Sequence, residues 1–260
     1  MSLHTIELDF PEAIIEYPLA ESDGAQLFWK LVYDLIPLCD ILTEKGVAIA
    51  ATFDKQVSCR AGCGVCCQQM VPLSPPEAAL IADVVSRLPE KRRMEVLNTF
   101  SDAVSRLSEA GLLEPLLALY REGADAETVR ELNRRYFALS IYCPFLVDGS
   151  CSIYPWRPSR CREYSVLSPS DLCSNPFNPG IRQLPLTVKM CESFSIEWST
   201  LMNRPPEIIP LVYALEWVET NLSTVSLEIP EKDVEKVKRR ILERVCARAN
   251  EIARERMKTP

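Results

Sequence analysis

Four cysteines, Cys59, Cys63, Cys66 and Cys67, fall within the nine residues CRAGCGVCC. No other feature constrains the chain as strongly. Short-spaced cysteines on a tight turn are what a tetrahedral thiolate site requires, because two or three sulfurs must converge about 2.3 Å from one ion. Gly62 and Gly64 permit positive-φ backbone, which turns amides toward sulfur and stabilises thiolate charge. Cys66 and Cys67 are adjacent, so their side chains diverge and suit two centres better than one ion.

Eleven cysteines in a cytoplasmic protein argue for metal ligation over disulfides, since thiols there stay reduced. The cytoplasm is the expected address. The segment MSLHTIELDFPEAI lacks a basic start followed by an apolar run, and no apolar stretch approaches the roughly 20 residues that span a bilayer. With 260 residues, 47% of them hydrophobic, the chain can bury a core without covalent staples. Its net charge of −7 disfavours a nucleic-acid partner. The charge is uneven: residues 1–54 hold ten acids and two bases, whereas the chain from Glu231 onward holds ten bases and six acids. Solvated helix faces that pair across the fold account for this most simply, with a docking surface for a protein or peptide partner as the alternative.

Most of the sequence has helical periodicity. Leu27, Leu31, Leu35, Leu38 and Leu42 form an apolar stripe over about 25–51. Ser74, Pro75 and Glu77 carry the signature of a capped helix start, and that helix should run to about Leu88. Further helices are expected near 90–109, 112–122 and 125–139, in PPEIIPLVYALEWVE, and after Pro230. From 142 to 195, Pro144, Pro155, Pro158, Pro169, Pro176, Pro179 and Pro185 break helix, leaving loop with room for a short hairpin. The fold class expected is mainly α, a bundle-like single domain over 1–260. Helical parts at 25–56, 76–140 and 196–260 surround an irregular cysteine-rich insert built from 57–75 and 142–195.

Two cysteines fit the buried stripes of helices, Cys39 between Leu35 and Leu42 and Cys246 between Leu242 and Ala249, and behave there as small apolar side chains. The other nine lie where helices stop: the first four, then Cys143, Cys151, Cys161, Cys173 and Cys191. Eight would complete two four-sulfur sites, with Cys173 as the spare. The sole histidine, His4, sits in an N-terminus expected to be loose and is not a ligand, so the ligand shell is sulfur. Soft thiolates select zinc or an iron–sulfur cluster, and the spacing leaves both open.

The stretch CRAGCGVCC, followed downstream by CPFLVDGSCSIYPWRPSRCREY, resembles the CxxCxxCC zinc- or iron-chelating proteins, a YkgJ-like cysteine-cluster family. The resemblance implies metal ligation by Cys59, Cys63, Cys66 and Cys67 in the first block and by Cys143, Cys151 and Cys161 in the second, with Cys191 as a later ligand. Here three residues separate the first two cysteines where the family name has two, and Gly62 absorbs the extra one. A related enzyme, the flagellin lysine N-methylase, implies that such clusters occur in S-adenosylmethionine-dependent modification enzymes.

Two functions therefore stand side by side: a protein whose thiolate centre ties the insert to the helical body, and an iron–sulfur-dependent oxidoreductase or protein-modifying enzyme. A radical enzyme of the β/α-barrel type is disfavoured by Val65 before the last cysteine of the motif and by little βαβ alternation. A Cys/His hydrolase lacks a base, and no glycine-rich phosphate loop is present. Tyr154, Trp156, Arg157, Arg160, Arg162 and Tyr164 either shield and neutralise the thiolates or bind an anionic or peptidic ligand.

Overall fold

The computed structural model describes residues 3–21, 23–119 and 125–258. It is mainly helical, as the periodicity requires, with short strands at the joints. The chain opens with a hairpin where a loose terminus was expected: β1 (Leu3–Asp9) runs antiparallel to β2 (Ile14–Ala20), with Leu3 opposite Ala20 and Asp9 opposite Ile14. Ile6, Leu8 and Phe10 alternate with exposed residues, as do Ile15, Tyr17 and Leu19, and all six are buried. That period of two is a strand signal, and the hairpin lays its apolar face on the main core.

β3 (Gln26–Leu27) pairs with β8 (Glu228–Ile229), so the stripe predicted to be helical from residue 25 starts extended. A 3-10 turn (Phe28–Lys30) leads into α1 (Leu31–Leu35) and α2 (Pro37–Ala51). Pro37 has no N–H and divides the two helices, although Ile36 keeps helical angles. The stripe is buried as expected, with Leu31, Leu35, Leu38, Cys39 and Leu42 all at 0–1% exposure.

After the first cysteine block come β4 (Pro72–Leu73), α3 (Pro75–Ser86), α4 (Glu90–Glu109), α5 (Leu113–Ala118) and α6 (Ala126–Ala138). The expected end of the third of these helices, at 122, lies outside the described residues. Most of α3 is buried, and it packs on α8 and α9. The end of α4 closes a smaller apolar cluster with α5 and α6 around Leu107, Leu116 and Tyr136.

The second cysteine region contains the hairpin β5 (Leu146–Val147) and β6 (Ser150–Cys151) and the short helix α7 (Ser159–Glu163). It ends earlier than 195, because α8 (Met190–Met202) starts at Met190 and buries Phe194 and Trp198. β7 (Ile209–Pro210) pairs with β4. The helix expected across PPEIIPLVYALEWVE forms only from α9 (Ala214–Thr220), after a 3-10 turn, since Pro205, Pro206 and Pro210 hold the chain extended before it. α10 (Leu222–Val225) and the long α11 (Glu231–Lys258) follow.

The predicted capping box at Ser74 is present and does more than cap. Glu77 is fully buried, and its Oε2 accepts from the Ser74 amide (3.0 Å) and hydroxyl (2.7 Å). Its Oε1 accepts from the amide (2.9 Å) and hydroxyl (2.6 Å) of Ser159, the first residue of α7. One carboxylate thus joins the helix that follows the first cysteine block to the helix that carries Cys161. Truncating it leaves four buried donors without an acceptor. Glu77→Ala is expected to lose about 3–5 kcal/mol, read as a fall in melting temperature of roughly 10 °C by circular dichroism. Glu77→Gln should lose about half of that, because its amide cannot accept from a backbone N–H.

Candidate metal centre

The first cysteine block leaves α2 as an extended segment and is stitched to the chain beyond α7. The Ser58 amide donates to Val166 O (2.9 Å) and its hydroxyl to Ser168 O (2.5 Å), and the Val166 amide donates to Cys59 Sγ (3.4 Å). Gly62, at φ +80°, turns the chain into the 3-10 turn Val65–Gln68 that holds Cys66 and Cys67. The Cys143 amide then donates to Cys67 O at 2.7 Å, which joins the two blocks backbone to backbone.

Between β5 and β6, Asp148 and Gly149 both adopt positive φ, the conformation of a two-residue hairpin turn whose twist matches its strands. A Cβ on Gly149 would lie 2.6 Å from Gly62 O. The missing side chain therefore lets the hairpin turn rest on the CRAGCGVCC loop.

All eleven cysteines are free thiols. The Val166 amide donates to Cys59 Sγ, and the backbone amides of Phe145 and Leu146 near Cys143 and of Ile153 near Cys151 act in the same direction on those thiols. Each favours the thiolate. Burial works the other way and prevails, raising Cys59, Cys151 and Cys161 and pushing Cys143 up to about 12. Cys66 is raised first by its hydrogen bond with Cys67 and then by burial. Neighbouring thiolates add to the effect, while Arg157 draws Cys66, Cys151 and Cys161 back down. Crowded thiols of this kind hold their charge together only around a cation.

Among the described residues, no group of three or more His, Cys, Asp or Glu side chains stands arranged to hold a metal ion. The donor set nevertheless fits a thiolate-bound metal, in sulfur type and in the amide bond to Cys59 Sγ. Two buried donors add to the fit. Gln69 Nε2 and Arg157 Nε have no acceptor. Gln69 follows the cysteine pair and lies against Tyr164, itself close to Cys173, Cys66 and Cys59. No sequence signal beyond adjacency to the cysteines marks Gln69.

Cys59, Cys63, Cys66 and Cys67 lie in the first of these loops, Cys143 and Cys151 at the β5–β6 hairpin that rests on it, and Cys161 in α7. Cys173, set aside as the spare, is 4% exposed in the turn Ser170–Ser174, which packs on the turn Val65–Gln68; burial and then the charges of Cys59, Cys66 and Cys63 raise its thiol. Cys191 stands apart in α8, 3.7 Å from Pro72 O and beside Glu77 and Glu163. Cys39 is buried in α2, 3.7 Å from Glu163 Oε1, whereas Cys246 is only half-buried and donates to Asp9 O at 2.8 Å.

The arginines and aromatics of the second block divide by role. Arg162, 7% exposed, bonds Asp40, Pro155 O (2.6 Å) and Arg157 O (2.9 Å), and so shapes the loop ahead of Cys161. Arg160 pairs with Glu163 (3.4 Å). Arg157, whose charge favours the thiolates of Cys66, Cys151 and Cys161, stacks over Tyr154 (4.1 Å) and reaches Asp40 (3.5 Å). Tyr154 and Trp156, 59% and 47% exposed, line a cavity of about 410 Å³ with Tyr33, Asp40 and Arg162.

Residues 58–176 match a family model described as "CxxCxxCC: Putative zinc- or iron-chelating domain". No curated protein and no solved structure matches the chain. Among the described residues, no helix is long and apolar enough to cross a membrane. Both cysteine blocks lie inside the matched span, and their loops are bonded to each other, so the chain is similar to that family over residues 58–176.

Proposed function

We propose that this is a metal-binding protein whose zinc or iron–sulfur centre is held by thiolates from Cys59, Cys63, Cys66, Cys67, Cys143, Cys151 and Cys161. The observation that carries the reading is the union of the two cysteine blocks through the Cys143 amide and Cys67 O, with the Val166 amide already turned onto Cys59 Sγ. A bound centre supplies the positive charge that the crowded sulfurs lack, and with it a tie between α2, the insert and α7. Arg157 and Gln69 stabilise the thiolates from outside, and Arg162 holds the loop that presents Cys161. A structural zinc site contributes roughly 10–16 kcal/mol of apparent binding free energy, as much as the net stability of a whole domain. Free thiols suit a reducing compartment such as the cytoplasm.

The cavity beside the centre favours a second reading, an iron–sulfur-dependent oxidoreductase or protein-modifying enzyme related to S-adenosylmethionine-dependent methylases. Tyr154 and Trp156 line that cavity while the charge of Arg157, the next residue, acts on the sulfurs, so a peptide or small molecule held there would lie near the centre. Anaerobic purification with elemental analysis and visible absorption separates the readings. Colourless protein with stoichiometric zinc supports the tie, and brown protein with iron and labile sulfide supports redox chemistry. Metal-free protein with the same melting temperature and the same protease resistance across 142–195 after chelator treatment excludes both.

Acid should release the metal. The thiols are held protonated when no ion is present, so binding expels protons and affinity falls as pH falls, by about tenfold per pH unit for each proton displaced. A competition titration between pH 8 and about pH 5.5 reads this directly, and a flat profile contradicts thiolate ligation. Arg157→Gln removes the cation that favours the thiolates and should weaken metal retention about 10–100-fold, with partial recovery in Arg157→Lys. Asp40→Asn, which alters only the far side of Arg157 and its partner Arg162, should retain metal.

A further inference from the structure

We propose that the cavity between α1, α2, α3 and the Tyr154–Trp156 turn binds an uncharged planar ring, presented by a small heteroaromatic compound or by the aromatic side chain of a peptide. This deepens the second reading above by naming what the cavity holds. It stands on the walls of the cavity, whichever metal is bound nearby.

Those walls are rings and apolar side chains. Tyr33, Tyr154 and Trp156 meet Ile36, Pro37 and Leu80 around about 410 Å³, inside the range of about 300–1,000 Å³ usual for small-molecule sites. Among the described residues no cysteine lines it, so the rings enclose a space separate from the thiols. They are fixed before a ligand arrives. Arg162, buried beneath the turn, donates to Pro155 O (2.6 Å) and Arg157 O (2.9 Å) and so holds the backbone on both sides of Trp156. Trp156 packs edge-on to Tyr33 with ring centres 5.2 Å apart, Tyr33 lies 6.2 Å from Trp29, and the Tyr33 hydroxyl donates to Asp83 at 2.9 Å. Tyr154 and Trp156 nonetheless stay exposed. Rigid aromatic side chains open to solvent suit a ligand, because little freedom is left for binding to remove.

The charges decide the ligand class. Asp40 and Arg162 line the cavity and are paired with each other. Asp40 also meets Arg157 (3.5 Å), and Arg162 is otherwise spent on the two carbonyls. An anion would have to take Arg162 from Asp40, and a cation would have to take Asp40 from Arg162; either exchange leaves a charged group without its partner. The anionic ligand that the sequence left open therefore finds no unpaired guanidinium on this wall. The cation position over Tyr154 is also filled, by Arg157 at 4.1 Å. A neutral ring requires neither exchange and gains offset or edge-on contact with Trp156 and Tyr33.

Full-length protein labelled with fluorotryptophan is titrated with indole, cyclohexanol, tetramethylammonium and benzoate while its fluorine NMR spectrum is followed, and Trp156→Phe assigns the Trp156 signal. Indole should shift that signal saturably, and the other three should leave it in place. Tyr154→Ala should weaken indole binding by roughly 2–10-fold, whereas Tyr142→Ala, an exposed ring outside the cavity, should not change it. N-acetyltryptophanamide that binds at least as tightly as indole makes a peptide side chain the source of the ring, and binding of indole alone makes it a small compound; both sustain the site. A stronger response to tetramethylammonium or benzoate, an equal response to cyclohexanol, or a Trp156 signal that no ring moves overturns the inference. Metal-free protein that binds indole sustains it while removing the metal reading. Metal-bearing protein that binds no ring does the reverse.

Discussion

A single buried carboxylate organises the molecule around its cysteines. Glu77 accepts four hydrogen bonds, two from Ser74 and two from Ser159, and no water reaches it. A charge buried this deeply persists only when fully bonded. Its two oxygens satisfy the amides and hydroxyls of Ser74 and Ser159, at the starts of two helices from distant parts of the chain. α7 is too short to stand by itself, and this bond holds it where Cys161 meets the first cysteine block. Glu163 repeats the arrangement at the other end of α7, accepting from the Met190 amide at 3.1 Å and so joining α7 to α8.

Around that clamp the structure arranges thiols that resist ionisation singly. Burial raises them, mutual repulsion raises them further, and backbone amides with Arg157 oppose both effects. Opposing influences of this size are resolved by a cation among the sulfurs, and the match to a zinc- or iron-chelating family points the same way. The aromatic cavity at Tyr154 and Trp156 adjoins the same loop, so any chemistry at the centre would have a place for a ligand next to it.

Much of the architecture was legible from periodicity and capping. The stripe from Leu31 to Leu42, the cap at Ser74 and the long helix after Pro230 all appear where their patterns put them. The departures have local causes. The alternation of Ile6, Leu8 and Phe10 with polar residues was a strand signal hidden in a terminus expected to be loose. Residues 25–27 and 206–210 satisfy the helical spacing yet run extended, because Leu27 pairs with Glu228 and the prolines remove amides that a helix would use. Cys246 fits a helical stripe, but that stripe faces the edge of β1 and leaves the thiol half-buried.

By itself the sequence determined the ligand chemistry: thiols without a usable histidine, spaced on glycine turns, in a chain of mostly amphipathic helices. Spacing along one segment is a local property, and it suffices to read a cluster of thiols on glycine turns from CRAGCGVCC. Which distant cysteines join that segment was decided by tertiary structure, because it depends on contacts between residues far apart in the chain. The Cys143–Cys67 amide bond and the approach of Gly149 to Gly62 set the second block on the first, and the packing of the Ser170–Ser174 turn on the Val65–Gln68 turn sets Cys173 near it. Cys191 sits in α8, against Pro72 O.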